Sequence, residues 1–296
     1  MTDPSTASPF PPMAPPPRPV QPGLYLVSTP IGNLRDITLR ALDVLKAADL
    51  ILAEDTRVTG KLLSAYGLKA RLERCDDHAS ERAAGGAVER VREGQVVALV
   101  SDAGTPMVSD PGFVVARAMI AAGLPVHPVP GPSSLLAALA VAGLPADRVL
   151  FAGFLPAKSG QRRTALEALK PIRATLVFFE SGPRLAGSLA DMAAVLGPRP
   201  AAVARELTKL YEECVRGDLV QLAAKPQLDG PRGELVVVIG PGEMEQASEA
   251  DADAALVDAL KRAGPADAAS EVSKALDLPR KILYRRALAL QGKDPA

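Results

Sequence analysis

Val96-Val97-Ala98-Leu99-Val100-Ser101-Asp102-Ala103-Gly104-Thr105-Pro106, with Ser109-Asp110-Pro111-Gly112 just beyond it, is the stretch from which the fold is read. Its five leading apolar residues, three of them valine, predict a strand covered on both faces. The run stops at a small polar turn without a large side chain. Asp110 and Pro111 then supply the N-cap and first-turn residues of a helix predicted over 113–122. A bare, glycine-containing loop at the end of a buried strand is where open α/β sheets hold small molecules. A nucleoside-like ligand is therefore expected against residues 102–106.

The same rhythm extends outward. Strands are predicted at 24–28, 49–53, 125–129 and 149–154, and helices at 38–47, 59–66, 81–93 and 135–142. Strands alternating with helices require parallel pairing and right-handed crossovers, which gives an N-terminal α/β domain over 23–156. Residues 155–163 read as a linker. Beyond it, helices at 164–169 and 184–196 mix with strands at 175–179, 201–206, 211–216 and 234–239. Segments 201–206 and 211–216 are joined too closely for a helix, so an antiparallel hairpin and a mixed sheet are expected in a second α/β domain, 157–242. Three short helices follow in a helical appendage over 250–292, the last of them basic. The fold class is α/β: two α/β domains, the first mostly parallel and the second mixed, plus a small helical C-terminal appendage.

Composition narrows the function. At 296 residues the chain is long for one core. Lys plus Arg and Asp plus Glu both number 34, so bulk charge gives no affinity for nucleic acid, although local basic patches do. The two cysteines, Cys75 and Cys214, have no metal-site spacing and imply no disulfide framework, which fits a reducing cytoplasm. No metal is expected. The apolar stretches are too short to span a bilayer. Residues 1–22 are dense in proline and lack the apolar core of a signal peptide, so they read as a disordered leader.

Several residues are candidates for chemistry. Asp102 is suited to accept from an amine or hydroxyl, and Gly104 permits close approach at positive φ. Thr29 and Pro30 either line the cleft at a neighbouring strand end or only shape a turn; Ser133 or Ser134 caps the helix that follows. Glu54, Asp55 and Arg57, and likewise Arg205, Glu206 and Lys209, read either as surface ion pairs or as groups of a functional site. His127, inside an apolar strand, reads as structural.

Six strings then occur in order: Thr29-Pro30-Ile31-Gly32-Asn33-Leu34, Ala53-Glu54-Asp55-Thr56-Arg57, Ser101-Asp102-Ala103-Gly104-Thr105-Pro106, Val129-Pro130-Gly131-Pro132-Ser133, Gly153-Phe154-Leu155-Pro156 and Ala204-Arg205-Glu206-Leu207-Thr208-Lys209. Together they resemble the ribosomal RNA small-subunit methyltransferase I family over about residues 23–242, and the basic tail is similar to that family's C-terminal extension. Such enzymes look like tetrapyrrole methylases in fold and methylate the 2′-hydroxyl of a cytidine in 16S rRNA. The resemblance implies S-adenosylmethionine as donor, held in an interdomain cleft by Thr29, Pro30, Asp102, Ala103, Gly104, Thr105, Pro106, Ser133, Ser134 and Leu155. It implies catalytic work for Glu54, Asp55, Arg57, Glu206 and Lys209, a homodimer, and rRNA within the 30S subunit as substrate. Phosphate contacts are expected from Lys158, Arg162, Arg163, Arg280, Lys281, Arg285 and Arg286. The competing readings are a small-molecule methylase of tetrapyrrole type and a non-catalytic RNA-binding protein. Two departures stand out: Glu180-Ser181-Gly182-Pro183-Arg184 occurs where the family often has Pro-His before the Arg, so no catalytic histidine is expected there, and His78-Ala79-Ser80-Glu81 replaces a common His-Asn-Glu.

Overall fold

The structure, a computed structural model, describes residues 16–76, 79–107, 112–242, 249–276 and 278–292. It forms two compact units, 1–241 and 242–296. The first unit begins β1 (Gly23–Val27), α1 (Leu39–Ala47), β2 (Leu50–Ala53), α2 (Thr56–Ala65), β3 (Leu72–Arg74), α3 (Ser80–Arg92), β4 (Val96–Val100), α4 (Gly112–Ala121), β5 (Val126–Val129) and α5 (Ser134–Ala142). Its five strands make one parallel sheet, in the order β3-β2-β4-β1-β5. β4 is the central strand and is buried throughout. Leu24, Leu50, Leu52, Val97 and Leu99 pack one face against Ala83, Ala87, Val115 and Met119 of α3 and α4. Tyr25, Val27, Ile51, Ala98 and Val100 pack the other against Val44, Leu45 and Leu63 of α1 and α2. Double cover explains why β4 is an unbroken apolar run rather than an alternating one.

Local signals set most boundaries. The Thr38 hydroxyl accepts from the Ala41 N–H and starts α1. α2 begins at Thr56, before the predicted 59, because Asp55 is its capping side chain. β3 carries no strand signature; three residues, Leu-Glu-Arg, add to the open edge of β2. The cap expected at Asp110 and Pro111 and most of the leader lie outside the described residues.

The unit continues with β6 (Val149–Phe154), α6 (Ser159–Leu169), β7 (Thr175–Ser181), α7 (Gly182–Leu196), β8 (Pro200–Arg205), β9 (Glu213–Asp218), α8 (Leu219–Ala223) and β10 (Glu234–Ile239). These strands form a second sheet, β6-β7-β10-β8-β9, in which only β6–β7 is parallel. The expected hairpin and mixed sheet are both present. Leu176, Phe178, Val203 and Val237 face Leu166, Leu185, Leu189, Met192 and Leu222. The opposite face, with Val177, Ala202, Ala204 and Val236, packs on Ala138 and Ala142 of α5.

Two expectations are corrected. β6, read as the last strand of the first domain, pairs with β7 in the second sheet. The chain has already crossed over at α5, which lies on β8 and β10; a strand's sheet membership is decided by such packing and has no local signature. Residues 155–163 are likewise not all linker, since α6 starts at Ser159. Its first turn is held by Asp191 of α7, which accepts from Ser159 Oγ (3.0 Å), Arg162 Nε (2.7 Å) and Arg163 Nε (2.6 Å).

The second unit is three helices, α9 (Glu249–Leu260), α10 (Pro265–Leu276) and α11 (Arg280–Leu290). Leu256, Ala268, Val272, Leu283 and Ala287 form its own small core. Among the described residues, no helix is long and apolar enough to cross a membrane.

Asp191 and Arg162 are both almost fully buried. Asp191→Ala leaves the Arg162 guanidinium buried without its carboxylate, and a loss of about 3–5 kcal/mol is expected from urea unfolding. A loss below about 1 kcal/mol, the range of an exposed pair, would show that the ion pair does not hold α6 to α7.

Candidate active site

The loops that leave β1, β2, β4 and β5 at their C-terminal ends are tied to one another. Thr29 and Gly104 form an isolated antiparallel bridge, Thr29 N to Gly104 O at 2.8 Å and Gly104 N to Thr29 O at 3.0 Å. Gly104 has φ +80°, and a Cβ there would meet Ile31 Cγ2 at 3.3 Å. Ser28 Oγ lies 3.0 Å from Thr105 Oγ1, and that hydroxyl donates to Pro132 O at 3.1 Å. Asp102 accepts from the Asp55 N–H at 3.0 Å, while its own N–H donates to Glu54 Oε2 at 3.4 Å.

A cavity of about 380 Å³ opens beside these loops, within the range of small-molecule sites. From the first sheet come Ile31, Glu54, Asp102, Ala103 and, at the start of α5, Ser134. From the second come Phe154, Phe179, Glu180, Ala204, Leu207, Glu234, Leu235 and Val236. The walls are apolar, and the charged groups are four carboxylates with no Lys or Arg among the lining residues.

The expected site residues separate on this geometry. Glu54, Asp102, Ala103 and Ser134 line the cavity. Gly104 and Thr29 shape it through backbone, since the Thr29 hydroxyl is turned inward onto Ser101 O. Thr105 braces neighbouring loops, and Ser133 occupies the N-cap of α5 without a side-chain capping bond. Pro30 and Pro106 flank the bridged loops and are not cavity-lining. The Leu155 side chain points away into the core on the far face of the second sheet, and its carbonyl accepts from Arg184. Asp55 caps α2 and is gripped by Arg57, Nη2 to Oδ2 at 2.6 Å; this hydrogen-bonded partner holds the Asp55 carboxyl far below the usual carboxylate range. Arg57 is 86% exposed and its charge is turned to Asp55, so the pair behaves as a surface ion pair.

Glu206 and Lys209 stand behind the rim. The backbone turns sharply after β8, with φ +50° at Glu206 and +66° at Thr208. Lys209 Nζ lies 2.8 Å from Glu206 Oε1 and 3.1 Å from the cavity-lining Glu234. The bond from Lys209 lowers the Glu206 pKa against its burial. Burial lowers that of Lys209, but its two carboxylate partners outweigh this and raise it. Lys209 is thus held as a cation and Glu206 as a weak base. Lys209 also crosses to the first sheet: a Cβ on Gly32 would collide with its side chain.

The second-sheet wall escaped sequence reasoning. Glu180 is 3% exposed at the end of β7 and accepts from Ser181 N at 2.9 Å and from Ser188 Oγ. Arg184 Nε lies 3.4 Å from it. Its signal was available: it is the one acid closing an otherwise apolar strand, Thr-Leu-Val-Phe-Phe-Glu. Phe179 and Glu234–Val236 carried none.

Of the basic residues expected to meet RNA, two are consumed internally. Arg162 is buried against Asp191, and Arg286 is paired with Asp253, Nη2 to Oδ2 at 2.9 Å. Arg163 is half exposed but bonded to Asp191, and Arg280 reaches Ala266 O. Lys158, Lys281 and Arg285 are exposed.

Two α/β sheets of this topology flanking one cavity define a tetrapyrrole-type methylase. The family model described as Tetrapyrrole (Corrin/Porphyrin) Methylases matches residues 23–223, and that for an RsmI C-terminal HTH domain matches 246–291. The uroporphyrin-III C-methyltransferase of Thermus thermophilus superposes with a TM-score of 0.53 at 28% identity, over 73% of this chain and 93% of its own. The methyltransferase CobJ gives 0.56 at 19%, over 74% and 94%, which speaks to fold alone. A ribosomal RNA small subunit methyltransferase I from Mesorhizobium japonicum is 50% identical over 93% of this chain and 95% of its own. The enzyme of the same name from Escherichia coli O157:H7 is 46% identical over 91% and 96%. The chain belongs to the ribosomal RNA small subunit methyltransferase I family.

Lys209→Met leaves Glu206 and Glu234 without their shared cation, and stability at pH 7 should fall by about 1 kcal/mol. The acid limb should also flatten. Glu206 is depressed from its ordinary 4.5, so as pH falls the unfolded chain takes up the proton first, and the stabilisation drains away below about pH 4.5. The variant has none of it to lose. Urea midpoints at pH 7 and pH 4 check both; an unchanged difference between enzyme and variant refutes the coupling.

Proposed function

We propose that the protein transfers a methyl group from S-adenosylmethionine to the 2′-hydroxyl of a cytidine in 16S rRNA, acting on the 30S subunit in the cytoplasm as a homodimer. The observation that carries this reading is extent. Relatives bearing the rRNA name align over more than nine-tenths of both chains, the helical unit included, whereas the methylase family model ends at residue 223. A small-molecule methylase has no evident use for a separate helix-turn-helix unit with a basic final helix.

The cavity's chemistry agrees. A ligand carrying a sulfonium and an ammonium is a cation, and Glu54, Asp102 and Glu234 offer it negative charge, while the Glu180 carboxylate is turned to Ser188 and Arg184 of α7. Ile31, Ala204, Leu207 and Val236 offer apolar walls to a nucleoside, and the bare 102–104 backbone allows close approach. When bound, the donor supplies a methyl group on sulfur for direct displacement. Aligning the hydroxyl oxygen against it is the protein's main task, worth about 7–11 kcal/mol in favourable cases. Lys209, kept protonated behind the rim by Glu206 and the cavity-lining Glu234, is the cation we assign to steadying a developing alkoxide. Glu54, the one expected catalytic group that lines the cavity, is the carboxylate suited to take the proton. Lys158, Lys281 and Arg285 would bind phosphates, without selecting sequence. Apolar side chains left exposed on α4, Phe113 and Ile120, give a dimer surface to bury.

Labelled donor supplied in parallel with 30S subunits, protein-free 16S rRNA and a tetrapyrrole precursor tests the reading. Label should enter the 16S rRNA of the subunit and map to a cytidine ribose; label in the tetrapyrrole alone would refute it. By calorimetry, Asp102→Ala should weaken donor binding at least about tenfold, the effect of losing one charged contact and its loop brace. Unchanged affinity would remove Asp102 from the donor site.

A further inference from the structure

Three of the six phenylalanines cluster beside the cavity, and two of them, Phe154 and Phe179, line it. Phe151 and Phe154 of β6 both stand edge to face with Phe179 of β7, at centroid distances of 4.8 and 5.7 Å and interplanar angles of 63° and 65°. In a regular strand, residues three apart point to opposite faces. Phe151 and Phe154 share a face because the register slips between Phe151 and Gly153, which pair with the consecutive Val177 and Phe178. Ala152 is the extra residue of a β-bulge, and Gly153 takes φ +64° to make it. Without the bulge, Phe154 would turn into the far core where Leu155 now lies. The bulge instead puts a large ring, 56% exposed, at the edge of a cavity whose lining it shares with Phe179.

An exposed phenylalanine gains nothing from water, and this one is steered into its position by an irregularity that interrupts the β6–β7 ladder. Its partner Phe179 fixes the ring's tilt, so little rotamer freedom remains to be lost on binding a flat ligand. We propose that Phe154 is a stacking platform for the base of the nucleotide presented to the cavity, gripping it from the solvent side while the sugar hydroxyl enters. This rests on the methyl-transfer reading above and adds the residue that holds the RNA base. The ring stands at the second-sheet edge of the cavity, open to a substrate arriving from solvent; the donor's place is the first-sheet side, against 102–104.

The test compares Phe154→Ala, Phe154→Leu and Phe154→Trp for methyl transfer to 30S subunits at saturating donor. Phe154 is exposed, so none of the three opens a cavity in the core. Base stacking on an aromatic ring, scaled from alanine substitutions, predicts a fall in kcat/KM for 30S of roughly 5- to 150-fold in the Ala variant. The Leu variant, apolar but without a π face, should fall with it, and Trp should restore activity to within about threefold. Donor affinity by calorimetry should be the same in all four proteins. The unsubstituted chain has no tryptophan, so Phe154→Trp is also a single reporter: its fluorescence should be quenched by a cytidine-containing single-stranded oligoribonucleotide and not by S-adenosylhomocysteine. Full activity in the Leu variant, impairment in Trp equal to that in Ala, or donor affinity falling in step with activity would each overturn the proposal, the last by assigning the ring to the donor's adenine. Absence of transfer by the unsubstituted enzyme is a separate result and would overturn the functional reading beneath it.

Discussion

The two hydrogen bonds between Thr29 and Gly104 are the constraint on which the site depends. β1 and β4 are adjacent parallel strands, and nothing in parallel pairing obliges the loops beyond them to stay together. The bridge extends their contact past the end of the sheet, with the chain reversed in sense. It exists because Gly104 adopts φ +80°, a conformation that costs a side-chain-bearing residue about 1–2 kcal/mol. Once it forms, Ile31 is pressed toward Gly104, and Asp102 and Ala103 are held out at the cavity edge. Asp102 then reaches the Asp55 N–H and Thr105 the Pro132 carbonyl, so four strand ends share one rigid rim.

That rim is half of a site whose other half is built differently. The first sheet contributes loops, positioned by backbone and small side chains. The second contributes strand residues, positioned by the alternation of side chains along its strands: Phe179, Ala204 and Val236 lie on one face while Phe178, Val203 and Val237 face α6 and α7. The same ladder brings Leu235 opposite both Glu180 and Arg205. Lys209 links the halves, clasped by Glu206 and Glu234 and packed on Gly32. A neutral chain thereby concentrates carboxylates around its cavity and leaves Lys158, Lys281 and Arg285 at the surface. The separation suits a protein that must attract a polyanion to its exterior and a cation to its interior.

This division also explains what was legible in the sequence. Most of the first sheet was readable because its inner strands β1, β2 and β4 are buried apolar runs and its loops are contiguous; β3, an edge strand, was not. Asp102, Ala103 and Glu54 could be named from strings of five or six residues. The second-sheet wall is assembled from β6, β7, β8 and β10, some eighty residues apart at the extremes, and only pairing brings Phe154, Glu180 and Glu234 together. Ser159 to Arg163 looked like a linker because the carboxylate that orders it, Asp191, is 32 residues from Ser159. Arg162 and Arg286 looked like phosphate ligands because a paired and an unpaired arginine have the same one-letter code; the carboxylates that hold them, Asp191 and Asp253, lie 29 and 33 residues away.

Glu180 joins three elements of the second half. α7 opens on Gly182-Pro183, a rigid helix start that needs no side-chain cap. Glu180 takes the Ser181 N–H and the Ser188 hydroxyl and lies beside Arg184, whose guanidinium also holds the Leu155 carbonyl. The end of β7, the start of α7 and the exit of β6 are thereby joined through one buried carboxylate. Phe154 and Leu155 are consecutive, so the restraint on the Leu155 carbonyl also restrains the ring beside it. The bulge selects the face to which Phe154 points, and Arg184, beside Glu180, holds the carbonyl of Leu155, the residue that follows it.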